Sequence, residues 1–242
     1  MVTHLRRAMT EDELRRIKEV YHARIAAGVI DRYSLLRSGE LLMAQQRERA
    51  LLALLRRHGI ATAVGLRVLE VGCGRAHRLV DWMRWGARSA DLAGIDLMEP
   101  LAREARLTLP RANFVAGNAA SLPFADACFD VVTQFTLFSS ILGVELRRAS
   151  AREMWRVLRP GGFVLWYDFR YPNPRNRDVR PVGRREIANL FPGAAIDIQS
   201  VTLAPPLARA IAPWSWLACE IISALPALRT HYAALIAKPA RS

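Results

Sequence analysis

The chain has 242 residues, of which 52% are hydrophobic and 24% charged, and this balance excludes an intrinsically disordered protein. Its length is sufficient for one large domain with a substantial core. The formal net charge of +13 permits nucleic acid, an anionic lipid surface or an anionic small molecule as a partner, although arginine-rich usage explains such a charge equally well.

The cysteines and the most apolar segment indicate in which cellular compartment the protein is expected. Cys73, Cys128 and Cys219 lie far apart and form no CxxC pair, so we expect neither a disulfide framework nor a metal site, and we expect a cytoplasmic protein. The first residues lack the apolar core of a signal peptide. Residues 210–228 are the most apolar stretch, but two prolines and a glutamate interrupt it. We therefore expect no membrane span, while a helix facing a surface or a substrate stays open.

The first sixty residues predict two helices before any strand. Thr10 and Glu13 fit a capping box at the start of the first helix, and Gly28 can end it. A second helix is predicted over about residues 39–58. We expect residues 1–60 to form a helical cover. The apolar face of the first helix consists of Leu14, Ile17, Tyr21 and Ile25.

From residue 61 onward, strands and helices alternate. The predicted strands lie in LRVLEV, ADLAGIDLM, ANFVAG, FDVVTQF, GFVLWYDF, Ala195–Leu203 and HYAALIAK. Helical patterns separate them in AHRLVDWMRWG, EPLAREARLTL, SILGVELRRASAREMWRVL and Arg184–Leu190. Because parallel neighbours need crossover helices, this order predicts an α/β fold, a doubly wound and mostly parallel seven-stranded sheet with helices on both faces. Residues 61–242 would form this domain, with an apolar insert near 204–228.

A glycine-rich loop follows the first predicted strand, where doubly wound sheets bind ligands. Gly72 and Gly74 allow a tight turn and bring backbone N–H groups close to a ligand. His77 stands where a dinucleotide fingerprint needs glycine, and Ala76 stands at the third position of the alternative GxGxG pattern. The carboxylate of Glu70 favours a cationic ligand over a pyrophosphate. The loop therefore predicts a cationic nucleoside site, and a tight turn without a ligand is the alternative.

Four stretches, in order and at matching spacing, resemble the motifs of the class I S-adenosylmethionine-dependent methyltransferases. They are VLEVGCGRA, GIDLMEP, NFVAGNAASLPFADACFDVV and REMWRVLRPGGFVLWYDF. They are most similar to the small-molecule, UbiE-like (type 11) branch of that family. The resemblance covers about residues 66–168. It implies a Rossmann-like fold, S-adenosylmethionine as cofactor and methyl transfer as the reaction.

The resemblance also implies a set of cofactor contacts. Asp96 would bind both ribose hydroxyls, since two carboxylate oxygens can accept two donors, and a helix-capping role is the alternative. Asn118 stands where the family usually has an aspartate for the adenine amino group, and Ala119 would offer its backbone N–H to the ring. The other expected contacts are Glu70, Gly72, Cys73 and Gly74 at the methionine portion, Leu97 and Leu122 as apolar walls, Gln134 near the transferable methyl group, and Tyr33 from the N-terminal cover.

The candidates for contact with the methyl acceptor are Ser139, Asp168, Arg170 and Trp214. No catalytic base is assigned, because QFTLFSS lacks the histidine that many relatives carry after the fourth strand. Either an anion clamp or a solvated loop explains the arginines of residues 170–185. The insert around Trp214 suggests a lid over a partly hydrophobic acceptor, with core packing as the alternative for its aliphatic residues.

The expected function is in-line methyl transfer from S-adenosylmethionine to a small or lipid-like acceptor, which can be anionic. The net charge permits RNA or protein as the acceptor instead, although nucleic acid is not favoured. Ala76 and Asn118 depart from the family pattern and keep open a catalytically silent binding domain. Hydride transfer ranks last. The oligomeric state does not follow from the sequence.

Overall fold

The computed structural model describes residues 2–27, 33–173 and 176–240, with side chains from residue 11 onward. The helices are α1 (Val2–Ala26), α2 (Ser38–Arg57), α3 (His77–Arg84), α4 (Glu99–Thr108), α5 (Leu137–Ser140), α6 (Val144–Val157), α7 (Arg184–Leu190), α8 (Pro205–Ile211) and α9 (Trp216–Ser223). The strands are β1 (Val68–Val71), β2 (Leu92–Asp96), β3 (Asn113–Ala116), β4 (Phe129–Phe135), β5 (Leu158–Phe169), β6 (Ala195–Leu203) and β7 (Arg229–Ala237). The predicted alternation of strands and helices is confirmed.

The first helix begins earlier than the sequence pattern predicted. Thr10 lies inside α1, so a helix start with a capping box at that residue was wrong. The helix extends to Val2 because residues 2–9 contain neither glycine nor proline to stop it. Gly28, the predicted stop, lies outside the described residues.

The seven strands form one sheet in the order β3-β2-β1-β4-β5-β7-β6. The first five strands are parallel, and β7 runs antiparallel to both β5 and β6. The strand order reverses at β1, which pairs with β2 on one side and with β4 on the other. A crevice therefore opens beyond the carboxyl ends of these strands, at the switch point where open α/β sheets bind their ligands.

Alternation along the strands builds a core on each face of the sheet. Val68 and Val131 face a layer that includes α2 and α3, while Leu69 and Val132 face the layer of α6 and α7. Trp82 of α3 fills the first layer and is fully buried. The predicted class, a mostly parallel sheet with helices on both faces, is confirmed.

The two N-terminal helices occupy different places. α2 packs against β6, β7 and the insert helix α8, where Leu42 and Met43 share a small core with Cys219 of α9. α1 instead contacts the loop before α6 through Glu13, whose carboxylate accepts the N–H groups of Leu142 and Gly143. Of the predicted helical cover, α1 alone lies over the crevice. The division into a cover and a sheet domain stays a prediction.

Candidate functional site

A cavity of about 240 Å³ lies at the switch point of the sheet. Its floor is formed by the loops that follow β1, β2, β3 and β4, and α6 forms one wall. Residues Leu14, Ile17 and Tyr21 of α1 form the roof. The chain thus encloses a ligand-sized space where the topology predicts one.

The loop after β1 approaches this cavity with bare backbone. Gly72 and Gly74 line the cavity at φ angles of 78° and 50°, which glycine adopts without steric cost. The carbonyl of Ile95 accepts the N–H groups of Gly72 and Cys73 at 2.8 and 3.0 Å, which ties this loop to β2. Ala76, the departure from the glycine pattern, also has a positive φ of 64° where the loop meets α3.

Asp96 lies beside the glycine loop at the end of β2. Its Oδ2 accepts the N–H of Gly74 at 2.8 Å, and its Oδ1 accepts the N–H of Met98 at 2.9 Å. Burial raises the pKa of Asp96, while these two hydrogen bonds oppose the rise. It is the one charged side chain among the described residues that line the cavity. Each oxygen keeps a second lone pair for a hydroxyl donor.

The loop after β3 provides the opposite polar wall. Gly117, Asn118 and Ala119 line the cavity, and a Cβ on Gly117 would come within 3.0 Å of Ile95. Oδ1 of Asn118 accepts the N–H of Ala120 at 2.9 Å, which holds this side chain in a tight turn. The amide is therefore fixed in place, and it keeps a second lone pair on Oδ1 and both N–H donors of Nδ2 for a ligand.

Four polar side chains of the cavity lining are not among the sequence-predicted site residues, namely Tyr21, Thr136, Ser140 and Ser150. Tyr21 of α1 places its hydroxyl 3.3 Å from Oγ of Ser140, and burial raises its pKa. Ser150 of α6 is buried, and its hydroxyl has no hydrogen-bond partner within the protein. The helical spacing of Tyr21 was visible in the sequence, but its position over the sheet was not. Ser150 carried no signal, because one serine in a helix resembles any other.

Three predicted cofactor contacts lie behind the cavity lining. Glu70 is buried, its Oε2 has no partner, and burial raises its pKa well above the usual range. The sulfur of Cys73 packs against β2, since a Cβ on Gly94 would lie 2.7 Å from it. Gln134 turns its amide to the backbone, with Oε1 accepting the N–H of Leu137 at 3.0 Å. Their roles in ligand binding stay predictions, because none of the three lines the cavity.

Ser139 and Asp168 form an internal polar contact and do not line the cavity. The carboxylate of Asp168 is fully buried and accepts the N–H groups of Ser139 and Phe169 at 3.1 and 2.8 Å. Burial raises the pKa of Asp168 to about 6. Its geometry is that of a strand-end carboxylate satisfied by backbone N–H groups. Both residues join the loop after β4 to the end of β5.

The other predicted acceptor contacts lie farther out. Trp214 is exposed in the turn between α8 and α9, because the insert packs on α2 and leaves this ring outside. Arg170 hydrogen-bonds the carbonyl of Pro226 and the hydroxyl of Tyr171. Tyr33 is exposed as well, and Tyr21 takes the place at the cavity that was expected for it. Neither a lid at Trp214 nor a contact from Tyr33 forms in this structure.

The described arginines of residues 170–185 do not line the cavity either. Arg180 binds the carbonyl of Leu142 and the carboxylate of Glu186, and Arg184 binds the carbonyl of Ile198. Arg175 lies outside the described residues. Within the ranges that the structure describes, no arginine of this loop lines the cavity.

Two further features concern the described part of the chain, namely a metal cluster and a membrane-spanning helix. Within it, no three His, Cys, Asp or Glu side chains lie close enough together to hold a metal ion. Within it, too, no helix has the length and apolar character needed to cross a bilayer.

The strand order, the antiparallel last strand, the glycine loop and the acid after β2 define a nucleoside-binding domain of the Rossmann-like class. Residues 69–166 match the family described as "Methyltransferase domain". These residues are a domain of the class I S-adenosylmethionine-dependent methyltransferase family, which confirms the resemblance seen in the motifs.

Relatives extend the likeness beyond this domain. Demethylmenaquinone methyltransferase of Roseiflexus castenholzii is 33% identical over 151 residues, which are 61% of this chain and 62% of that protein. Phthiotriol/phenolphthiotriol dimycocerosates methyltransferase 1 of Mycobacterium ulcerans is 36% identical over 48% of this chain and 43% of its own length. The chain thus spans about half the length of these curated relatives.

A solved structure shows the same fold over nearly the whole chain. It is 1,6-didemethyltoxoflavin-N1-methyltransferase of Burkholderia thailandensis, with bound 1,6-didemethyltoxoflavin and S-adenosylhomocysteine. Its TM-score is 0.58 at 19% identity, covering 91% of this chain and 90% of that one. At this identity the likeness supports the fold alone.

Proposed function

We propose that the cavity binds S-adenosylmethionine and that the protein transfers its methyl group to a small, lipid-like acceptor. The observation that carries this proposal is the pairing of a bare glycine loop with Asp96, the one described charge of the cavity. A lone carboxylate beside exposed backbone suits a cationic nucleoside and disfavours a pyrophosphate.

The residues present fit such a cofactor at each end. Gly72 and Gly74 leave room for a ligand against the backbone, and Asp96 has free lone pairs for two ribose hydroxyls. Asn118 can accept a hydrogen bond from the adenine amino group. The unpartnered hydroxyl of Ser150 is a further polar group on the same wall. A buried hydroxyl without a partner is destabilising unless a ligand satisfies it.

Bound S-adenosylmethionine would supply an electrophilic methyl group on a sulfonium. The chain's own task is then to hold the acceptor in line with that methyl group and to exclude water. α1 performs the second part, since Leu14, Ile17 and Tyr21 cover the cavity and Glu13 anchors the helix to the loop before α6. No base is assigned, and the cavity suits an acceptor that is already ionised or intrinsically nucleophilic.

The acceptor is inferred from the apolar character of the roof and from the relatives. Leu14, Ile17, Ile141 and Leu146 form an apolar cluster beside the cavity. The two relatives described above are named for demethylmenaquinone and for phthiotriol dimycocerosates. Both facts support a lipid-like acceptor that enters beneath α1. An anionic group on the acceptor stays a prediction, because no described arginine of residues 170–185 lines the cavity. A cytoplasmic location stays a prediction as well.

Calorimetry with S-adenosylhomocysteine tests cofactor binding. We expect micromolar binding to the wild type and a loss of at least about tenfold in Asp96→Ala, since charged hydrogen bonds to the ribose contribute about 1.5–3 kcal/mol each. Asp130→Ala is the matched control. Asp130 is buried, whereas Asp96 is half-buried, and Asp130 likewise accepts a backbone N–H, that of Arg67 at 2.7 Å. It lies at the start of β4, away from the cavity. Equal losses in both variants would mean that Asp96 acts through stability alone.

A transfer assay with labelled methyl groups separates the remaining hypotheses. We expect transfer to a lipid-like quinol or phenol such as demethylmenaquinol, and none to RNA or protein. Binding of S-adenosylhomocysteine without transfer to any acceptor would favour the silent binding domain. Methyl transfer to RNA at a rate that falls steeply as the salt concentration rises would favour the hypothesis, which the net charge permits, that RNA is the acceptor.

A further inference from the structure

The insert between β6 and β7 carries a row of exposed large apolar side chains. Trp214, Leu217, Ile221 and Leu225 are 89%, 71%, 65% and 59% exposed. Leu217 and Ile221, four residues apart, lie on one side of α9, and Trp214 and Leu225 lie in the turns that flank this helix. We call these four residues the apolar stripe. Four exposed large apolar side chains within twelve residues indicate a surface that meets an apolar partner.

The opposite side of α9 is firmly held, so the apolar stripe is not a loosely packed core segment. Cys219 is fully buried, and Ile222 packs with it against Leu42 of α2 and Leu203 of β6. Oγ of Ser215 accepts the N–H of Ala218 at 3.1 Å and caps the helix. The structure therefore presents the stripe outward on a fixed helix.

Another exposed leucine lies at the same end of the molecule. Leu36 is 97% exposed and stands three residues before Gly39, where α2 touches α8. A Cβ on Gly39 would lie 2.8 Å from Cα of Arg209, so α2 begins directly beside the insert. An exposed leucine thus stands three residues before the contact between α2 and the insert.

Positive charge accompanies this surface. Arg229 binds the carbonyl of Ser223 at 2.6 Å and Arg170 binds that of Pro226 at 3.1 Å, so two guanidinium groups lie at the carboxyl end of α9. The acids Glu220 and Glu40 are both paired with arginines, namely Arg49 and Arg209. With a net charge of +13 for the chain, the complement of this surface is apolar and negative. An anionic lipid bilayer has both properties.

We propose that the apolar stripe docks the protein onto anionic membranes, with the side chains entering the lipid interface and the arginines facing the headgroups. This inference deepens the proposed function, because a lipid-like acceptor resides in a bilayer. It does not depend on cofactor binding, since the stripe lies on the insert and α1 covers the cavity.

Vesicle co-sedimentation tests the proposal. The vesicles contain phosphatidylcholine alone or an equal mixture with phosphatidylglycerol. We expect the wild type to bind the mixed vesicles, to bind pure phosphatidylcholine more weakly, and to lose binding as salt rises. The double variant L217S/I221S should bind at least about tenfold more weakly, since two apolar side chains no longer enter the lipid.

Leu107→Ser is the matched control. Leu107 is 77% exposed on α4, beside β2 and β3 at the far edge of the sheet, and its substitution should leave vesicle binding unchanged. Binding of S-adenosylhomocysteine by L217S/I221S shows that this variant is folded. A wild type that sediments but does not bind S-adenosylhomocysteine would refute the proposed function and leave this inference standing.

Three results would overturn the inference. The first is a wild type that ignores anionic vesicles, and the second is equal binding by L217S/I221S. The third is a wild-type dimer in light scattering that L217S/I221S converts to a monomer without a vesicle effect. In that case the stripe is an interface between two copies of the chain.

Discussion

Replacing Gly74 by alanine probes whether the loop after β1 is open for a ligand or merely tightly turned. A Cβ at this position would meet no protein atom within 4 Å, although Gly74 lines the cavity. The protein therefore has space for the added methyl group, but a cofactor bound against this backbone would collide with it. Gly65→Ala is the matched control, because Gly65 also has a positive φ, of 77°, and open space around its Cβ, but it lies outside the cavity lining.

The expected stability losses of the two variants are equal. An L-residue at positive φ costs about 1–2 kcal/mol relative to glycine, which lowers the melting temperature of a chain of this size by about 2–8 °C. Only Gly74→Ala should lose affinity for S-adenosylhomocysteine. A methyl group forced into a filled site costs about 1–3 kcal/mol, or about 5- to 150-fold in Kd.

Differential scanning fluorimetry gives the melting temperatures, and calorimetry gives the two Kd values. Wild-type affinity in Gly74→Ala would show that the ligand does not approach this backbone. Equal losses of affinity in both variants would show that a general loss of stability, and not direct contact at Gly74, lowers the affinity. Either result would refute the reasoning about this loop.

Three further substitutions test the packing around the site. Ala76→Gly should change the stability measured by thermal unfolding by less than about 1 kcal/mol, because relief of the positive φ offsets the loss of a buried methyl group. A larger loss would mean that the backbone is not strained at this residue. Arg147→Met should lower the free energy of unfolding, measured in urea, by about 3–5 kcal/mol, since Arg147 is fully buried and binds Glu186 and the carbonyls of Ile141 and Arg180. A loss below about 1 kcal/mol would contradict this network. Asp168→Asn should flatten the pH dependence of stability. The carboxyl has a pKa of about 6 in the folded state against 3.8 when free, so wild-type stability falls by about 3 kcal/mol as pH rises from about 4 to 7. Equal slopes for both proteins would disprove the raised pKa.

The sheet could be predicted from sequence because its signals are local and repeated. A helix follows four of the five parallel strands before the next strand begins, and this repeated signal determines the class of fold. The same holds for Gly72, Gly74, Asp96 and Asn118, which stand directly after strands whose carboxyl ends meet at one edge of the sheet. For these residues, position in the chain nearly fixes position in space.

The remaining site residues could not be placed in this way. Side-chain direction decides whether a strand-end residue faces the cavity: Glu70 is buried behind the lining, and Gln134 turns to backbone partners. Long-range packing decides which N-terminal residue covers the crevice, and α1 brings in Tyr21 while Tyr33 stays exposed. Likewise, the sequence pattern of an apolar insert does not indicate whether the insert faces a substrate or solvent. Trp214 was expected at the acceptor and is exposed.

A crystal structure grown with saturating S-adenosylhomocysteine tests the central claim most directly. The ribose hydroxyls should lie within hydrogen-bond distance of the Asp96 carboxylate, with the adenine amino group at Asn118 and the sulfur beneath α1. Density for the ligand elsewhere, or a cavity that stays without it at saturating concentration, would contradict the assignment of this chain as a methyltransferase.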